Sequence, residues 1–181
     1  MRQLLEGINR DKLLEFLVEY AEYDSKFANA VNVRFGKLVF DDELEKIMNK
    51  IERTLNGVSD YSTHDEWGYV NIYTGDIFEE IRARVSQGHV RLAFAATELL
   101  YRKLVELFEY QAECEISDEA EYCVSMMSDI ADIAMSEDDK EHIIQHCLEL
   151  AALEDAKNYG VDHEDKLLKI VAKLKIGRAH V

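Results

Sequence analysis

Not one proline occurs in the 181 residues of this chain. Proline removes a backbone donor and clashes with the preceding turn, costing a helix interior about 3 kcal/mol. A chain without it can run in long helices, and apolar residues recur here at the three-and-four spacing that gives a helix one oily face. The expected architecture is all-α: an irregular stack of antiparallel helical hairpins, as in a short α-solenoid or a TPR- or HEAT-like array. An irregular helical bundle is the alternative.

Caps and stops divide the pattern. Asn9 is placed to cap a first helix from about Arg10 to Tyr23, with Leu13, Leu14, Leu17, Val18 and Ala21 as its stripe, and Asp24 and Ser25 reset the chain. A second helix, about Lys26 to Phe35, offers Phe27, Ala30, Val31 and Phe35 inward and is expected to stop at Gly36. Asp41 or Asp42 would cap a third, with the stripe Leu44, Ile47, Met48, Ile51 and Leu55, ended by Gly57. Val58 to Tyr69 reads as a loop anchored by Trp67. A fourth helix spans about Val70 to Gln87, irregular or extended over Asn71 to Thr74, secure from Ile77 to Val85 and closed by Gly88. The fifth, about His89 to Glu113, is apolar on two sides and must be packed on both. Ser117 is expected to start the sixth, with Ala120, Cys123, Val124, Met127, Ile130, Ala131 and Ala134 inward. Ser136 starts a seventh, carried by Ile143, Ile144, Cys147, Leu148 and Ala151 and broken by Gly160. A last helix opens at Asp162 and holds Leu167, Leu168, Ile170, Val171 and Leu174.

Length fits a single helical domain over residues 1–175. Residues 176–181 (IGRAHV) look like an in-frame translation of a sequencing adapter and are read as a non-native tail. Twenty-one Lys and Arg against 37 Asp and Glu give a formal net charge of −16, which repels phosphate backbones and anionic membrane surfaces. Direct nucleic-acid binding is therefore not expected; the nearest cluster of cations is Arg82, Arg84 and Arg91. Cys114, Cys123 and Cys147 are an odd number in a chain too large to need staples, which fits buried reduced thiols and a cytoplasmic location. No segment reaches the roughly 18 to 20 apolar residues of a membrane span.

Few residues suggest chemistry, and no catalytic or cofactor-binding residue is assigned. His142 and His146, an i, i+4 pair in EHIIQH, could share one helical face and clamp a divalent metal. Zinc generally needs four ligands, however, and Ile143 stands where the metalloprotease pattern has Glu, so a partly exposed helix face is the plainer reading. Asp139 and His142 lack the second Glu-x-x-His of a di-iron site. His64, Asp65 and Glu66 fall in the loop without a nucleophile nearby in sequence. The acidic runs Glu79-Glu80, Asp118-Glu119 and Glu137 to Asp139 are expected in first turns, where they complement the helix dipole.

The runs NRDKLLEFLVEYAEYDSKFANAVNVRFG, GHVRLAFAATELLYRKLVELFE and NYGVDHEDKLLKIVAKL resemble the helical region that follows the zinc module in bacterial SWIM zinc finger proteins. The likeness spans most of Leu4 to Lys175 and rests on helix order and apolar pattern. It implies a piece of a larger protein whose Cys-x-Cys…Cys-x-His module lies upstream and binds nucleic acid or protein. No Cys here has the spacing of that module, so the resemblance assigns no zinc ligand and no cofactor to this chain. Residues and resemblance together lead to the expectation of a non-catalytic scaffold that binds a protein partner or another domain of its full-length chain. The rival is a metal-binding helical protein or metalloenzyme using His142 and His146.

Overall fold

The computed structural model describes residues 7–56, 72–107, 114–134, 136–153 and 163–178. Among them the chain is all-α: α1 Arg10–Tyr23, α2 Ser25–Leu55, α3 Gly75–Ser86, α4 Val90–Leu107, α5 Cys114–Ile133, α6 Glu137–Ala151 and α7 Glu164–Arg178. It divides into two compact units, Met1–Glu43 and Leu44–Val181.

In the first unit, α1 begins where its cap predicts. The Asn9 side chain accepts from the Asp11 backbone N–H at 2.8 Å, satisfying one of the donors a helix start leaves open. Asp24 then serves two helices at once. Its own N–H donates to Tyr20 O at 2.9 Å to close α1, and its carboxylate accepts from the N–H groups of Lys26 and Phe27 to open α2. Tyr20 and Phe27 meet edge to face across this elbow at 5.0 Å.

The chain departs from the sequence expectation at Gly36. Instead of ending there, α2 runs on to Leu55 as a helix of 31 residues, and Asp41 and Asp42 are helix interior rather than caps. A mid-helix glycine costs only about 1 kcal/mol relative to alanine. That is too little to stop a helix when no turn comes after it, and Gly36 is not in the left-handed region. Burial differs as well: Leu14, Val18, Val31 and Phe35, expected inward, are all exposed.

The second unit holds the core. Ile47, Ile51 and Leu55 from the end of α2 are buried, as their stripe predicts, and Leu44 packs against the same cluster from a partly buried position. α3 starts at Gly75 after the non-helical Ile72 to Thr74. It ends in a Schellman turn: Gly88 sits at φ 79°, its N–H donates to Val85 O, and the His89 N–H reaches back to Arg84 O. α4 is buried on both sides, with Leu92, Ala96, Leu100 and Leu104 on one and Phe94, Tyr101 and Val105 on the other. Two helix boundaries need correction. α5 begins at Cys114, so Ser117 lies inside it. Glu79-Glu80 and Asp118-Glu119 consequently sit beyond the first turns of their helices, while Glu137 to Asp139 do occupy the first turn of α6. α6 ends at Ala151, well before Gly160, and buries Leu150 in place of the exposed Leu148. Leu168 of α7 is likewise exposed, although Leu167, Ile170, Val171 and Leu174 are inward. The loop with His64, Asp65, Glu66 and Trp67, together with Gly57, Gly160 and Asp162, lies outside the described residues.

Consecutive helices pack most extensively, α3 on α4, α4 on α5 and α6 on α7, and alternate ones also meet, α4 with α6 and α5 with α7. Stacked hairpins make this set of contacts. The inward stripe expected for α5 is buried in full, Cys123 included, and Cys147 of α6 is buried too. Burial pushes both thiols up, that of Cys147 to about 12, so neither is a ready nucleophile.

Candidate functional site

Charged side chains join the alternate helices in seams, each running along a parallel pair. Between α3 and α5, Thr74 donates to Glu119 at 2.5 Å and the Arg82 guanidinium meets the Tyr122 hydroxyl. Between α5 and α7, Lys166 pairs with Glu121 and Lys173 with Asp132. The α4/α6 seam is the most buried and contains both histidines singled out in the sequence.

It is built on one face of each helix. Arg91, Phe94, Glu98 and Arg102 stand on α4 at intervals of three and four, which aligns them along its axis. Asp139, His142 and His146 do the same on α6. At one end Arg91 Nε donates to Asp139 Oδ1 at 2.5 Å, and the Ser136 hydroxyl that caps the helix donates to the other carboxylate oxygen. Burial pushes the Asp139 carboxyl up, but the bonds from Ser136 and Arg91 outweigh it and hold the carboxyl below its ordinary value.

Glu98 lies at the centre, 8% exposed. A lone buried carboxylate would lose several kcal/mol of hydration. Here Arg102 grips Oε1 with Nε at 2.8 Å and a terminal nitrogen at 2.7 Å, and His146 Nδ1 stands 2.7 Å from Oε2. The latter is a close polar contact without the alignment of a hydrogen bond, since Nδ1 makes none.

His142 completes the group. Its ring centroid lies 4.2 Å from that of His146, and the Phe94 ring meets both imidazoles edge to face at 6.5 Å. Burial, the adjacent His146 and the Arg91 charge together lower the His142 pKa against the opposing pull of Glu98 and Asp139. Its Nε2 is shut off from solvent and makes no hydrogen bond.

The i, i+4 spacing therefore does bring the two histidines together. What it could not show is that one of them faces Glu98, and among the described residues no group of three or more His, Cys, Asp or Glu is placed to hold a metal ion. Arg82, Arg84 and Arg91 do not gather into a cationic surface either: Arg82 goes to Tyr122, Arg84 to Glu80 and Arg91 to Asp139. Sequence reasoning missed Glu98 itself. The signal for it was a carboxylate in the middle of AFAATELLY, where apolar residues claim both sides of the helix, with Arg102 one turn on. Buried His163, in contact with Tyr101, gave no signal at all.

Among the described residues no helix is long and apolar enough to cross a membrane. No family model, curated protein or solved structure matches the chain.

Proposed function

We propose that the chain is a non-catalytic helical scaffold that binds another protein or another part of its own full-length chain. The observation that carries this reading is the apolar surface of the first unit. Leu14, Phe16, Val18, Tyr20, Tyr23, Phe35 and Val39 are all more than two-fifths exposed, with Tyr23 at 90%. Large apolar side chains left in water in such number within residues 14–39 exceed the single scattered ones that a surface ordinarily carries, which favours an interaction role. The polar groups of the second unit support the same reading, because Glu98, Glu119 and Asp139 are each engaged by neighbours within the fold. The net charge of −16 opposes direct contact with nucleic acid. The resemblance to the helical region of SWIM zinc finger proteins supports a place in a larger protein, and the genomic reading frame upstream of Met1 and beyond Lys175 tests that part.

Affinity capture coupled to cross-linking tests the scaffold. A partner or an intramolecular zinc module should cross-link to residues 10–39, and Phe16→Ser with Tyr23→Ser should abolish the cross-links while leaving helix content intact. Capture that is indifferent to both changes would remove the basis for the reading.

One observation favours a second reading, a metal-binding protein: the two adjacent imidazoles with a buried, unbonded Nε2 on His142. Elemental analysis decides. Stoichiometric zinc in the purified protein, lost on His142→Ala with His146→Ala, would establish it, and metal-free protein would end it.

A further inference from the structure

The groove between α5 and α7 lies within the second unit, shares no lining residue with the α4/α6 seam, and has a volume of about 330 Å³. We infer that it is a binding site for a small phosphate monoester bearing an apolar group, a property that goes beyond the scaffold reading and is independent of it.

The charge pattern runs against that of the whole molecule. Lys166, Lys169 and Lys173 line one wall of the groove, and Glu121, Ser125 and Ser128 line the other. Val124 and Ile170, both buried among the core residues, lie between the walls. Spacing of three and four places the three lysines along one edge of α7. The outer two are bridged across the groove, Lys166 to Glu121 and Lys173 to Asp132, whereas Lys169 has no ion-pair partner among the described residues. Both bridges run in the same direction along the two helices, and Ser125, Ser128 and Lys169 line the groove between them. One ammonium without an ion-pair partner among the described residues therefore shares the groove with two hydroxyls and an apolar floor.

A phosphate monoester suits this arrangement better than a carboxylate. It carries a charge of about −1.5 to −2 near neutral pH and three acceptor oxygens, enough to engage Lys169 and both hydroxyls together. The neighbouring lysines can be recruited, because an exposed bridge such as Lys166–Glu121 is weak in water and a dianion competes well for its ammonium. Repulsion from the distant acidic surface is screened beyond about 8 Å at physiological ionic strength. The apolar floor selects an ester with a carbon body over the bare ion, and the volume sits at the small end of ligand pockets, which run from about 300 Å³.

The test is an NMR titration of the isotopically labelled full chain with phenyl phosphate, benzoate and inorganic phosphate. Phenyl phosphate should give saturable shifts confined to residues 121–132 and 166–173, with a Kd about tenfold tighter than either of the other two. Lys169→Gln, which keeps an aliphatic stem, should weaken phenyl phosphate about tenfold, and Ser128→Ala should weaken it by a smaller factor. Lys103→Ala on α4 should change nothing. Absence of saturable shifts, equal binding of benzoate, or unchanged binding by Lys169→Gln would overturn the assignment.

Discussion

The Tyr101 hydroxyl lies 3.3 Å from His163 Nδ1, a contact between buried residues 62 positions apart that ties α4 to the residue just before α7. The rings themselves meet edge to face at 5.8 Å, so packing and polar contact are separable. Tyr101→Phe keeps the ring and removes only the oxygen. It should lower stability by about 1 kcal/mol, seen as a shift in the urea midpoint with an unchanged denaturant slope. No shift would mean that the ring packing alone holds the two elements.

Glu98→Gln preserves the shape of the most buried carboxylate in the α4/α6 seam and removes its charge. Arg102 and His146 then face a neutral amide, and the expected loss is about 1 to 3 kcal/mol. Combined with His146→Gln in a double-mutant cycle, the two changes should be non-additive by at least about 0.5 kcal/mol. Simple additivity would show that the 2.7 Å approach carries no coupling.

His142 predicts the direction of the acid response. Its pKa in the fold is held below the ordinary 6.5, chiefly by burial and then by His146 and Arg91. As pH falls through 6.5 the unfolded chain takes up the proton first, which favours unfolding. Its contribution to stability is therefore fully present above pH 6.5 and declines below it, down to the lowered value in the fold. The urea midpoint should drop between pH 7.5 and 5.5, and His142→Gln should make that drop smaller. An equal drop in the variant would assign the response to other groups.

Two glycines should respond to the same substitution with opposite signs. A Cβ at Gly36 meets nothing within 4 Å and the backbone is helical, so Gly36→Ala should stabilise α2 by about 0.5 to 1 kcal/mol. Gly88 has equal room but a φ of 79°, where an L side chain is strained, and Gly88→Ala should cost about 1 kcal/mol. Thermal melts of the two variants check both signs at once.

These residues also show why some of the fold was legible and some was not. Asn9, Asp24, Gly88 and Ser136 act through bonds to residues at most five positions away, and a linear reading finds such bonds. Gly36 misleads because the same residue type ends a helix only when it turns left-handed, and that depends on the residues after it. The apolar stripes of α4 and α5 were readable because burial repeats with the helical period. Pairings such as Glu98 with His146 or Tyr101 with His163 depend on which helix stacks on which, and periodicity within one helix contains no information about that. The exposed stripes of α1 and early α2 were legible as apolar, but their exposure was not, since a pattern marks what could be covered without saying whether it is.

The parallel seams constrain the chain in one more way. Their rungs, Arg91 to Asp139 and Glu98 to His146 among them, are set by counting residues along two helices at once. One extra residue between Arg91 and Glu98 would swing everything after it by about 100° and leave only the first rung aligned. Substitutions along these helices can therefore be absorbed one at a time, whereas insertions and deletions cannot: the spacing between rungs is fixed more tightly than the identity of most residues that lie between them.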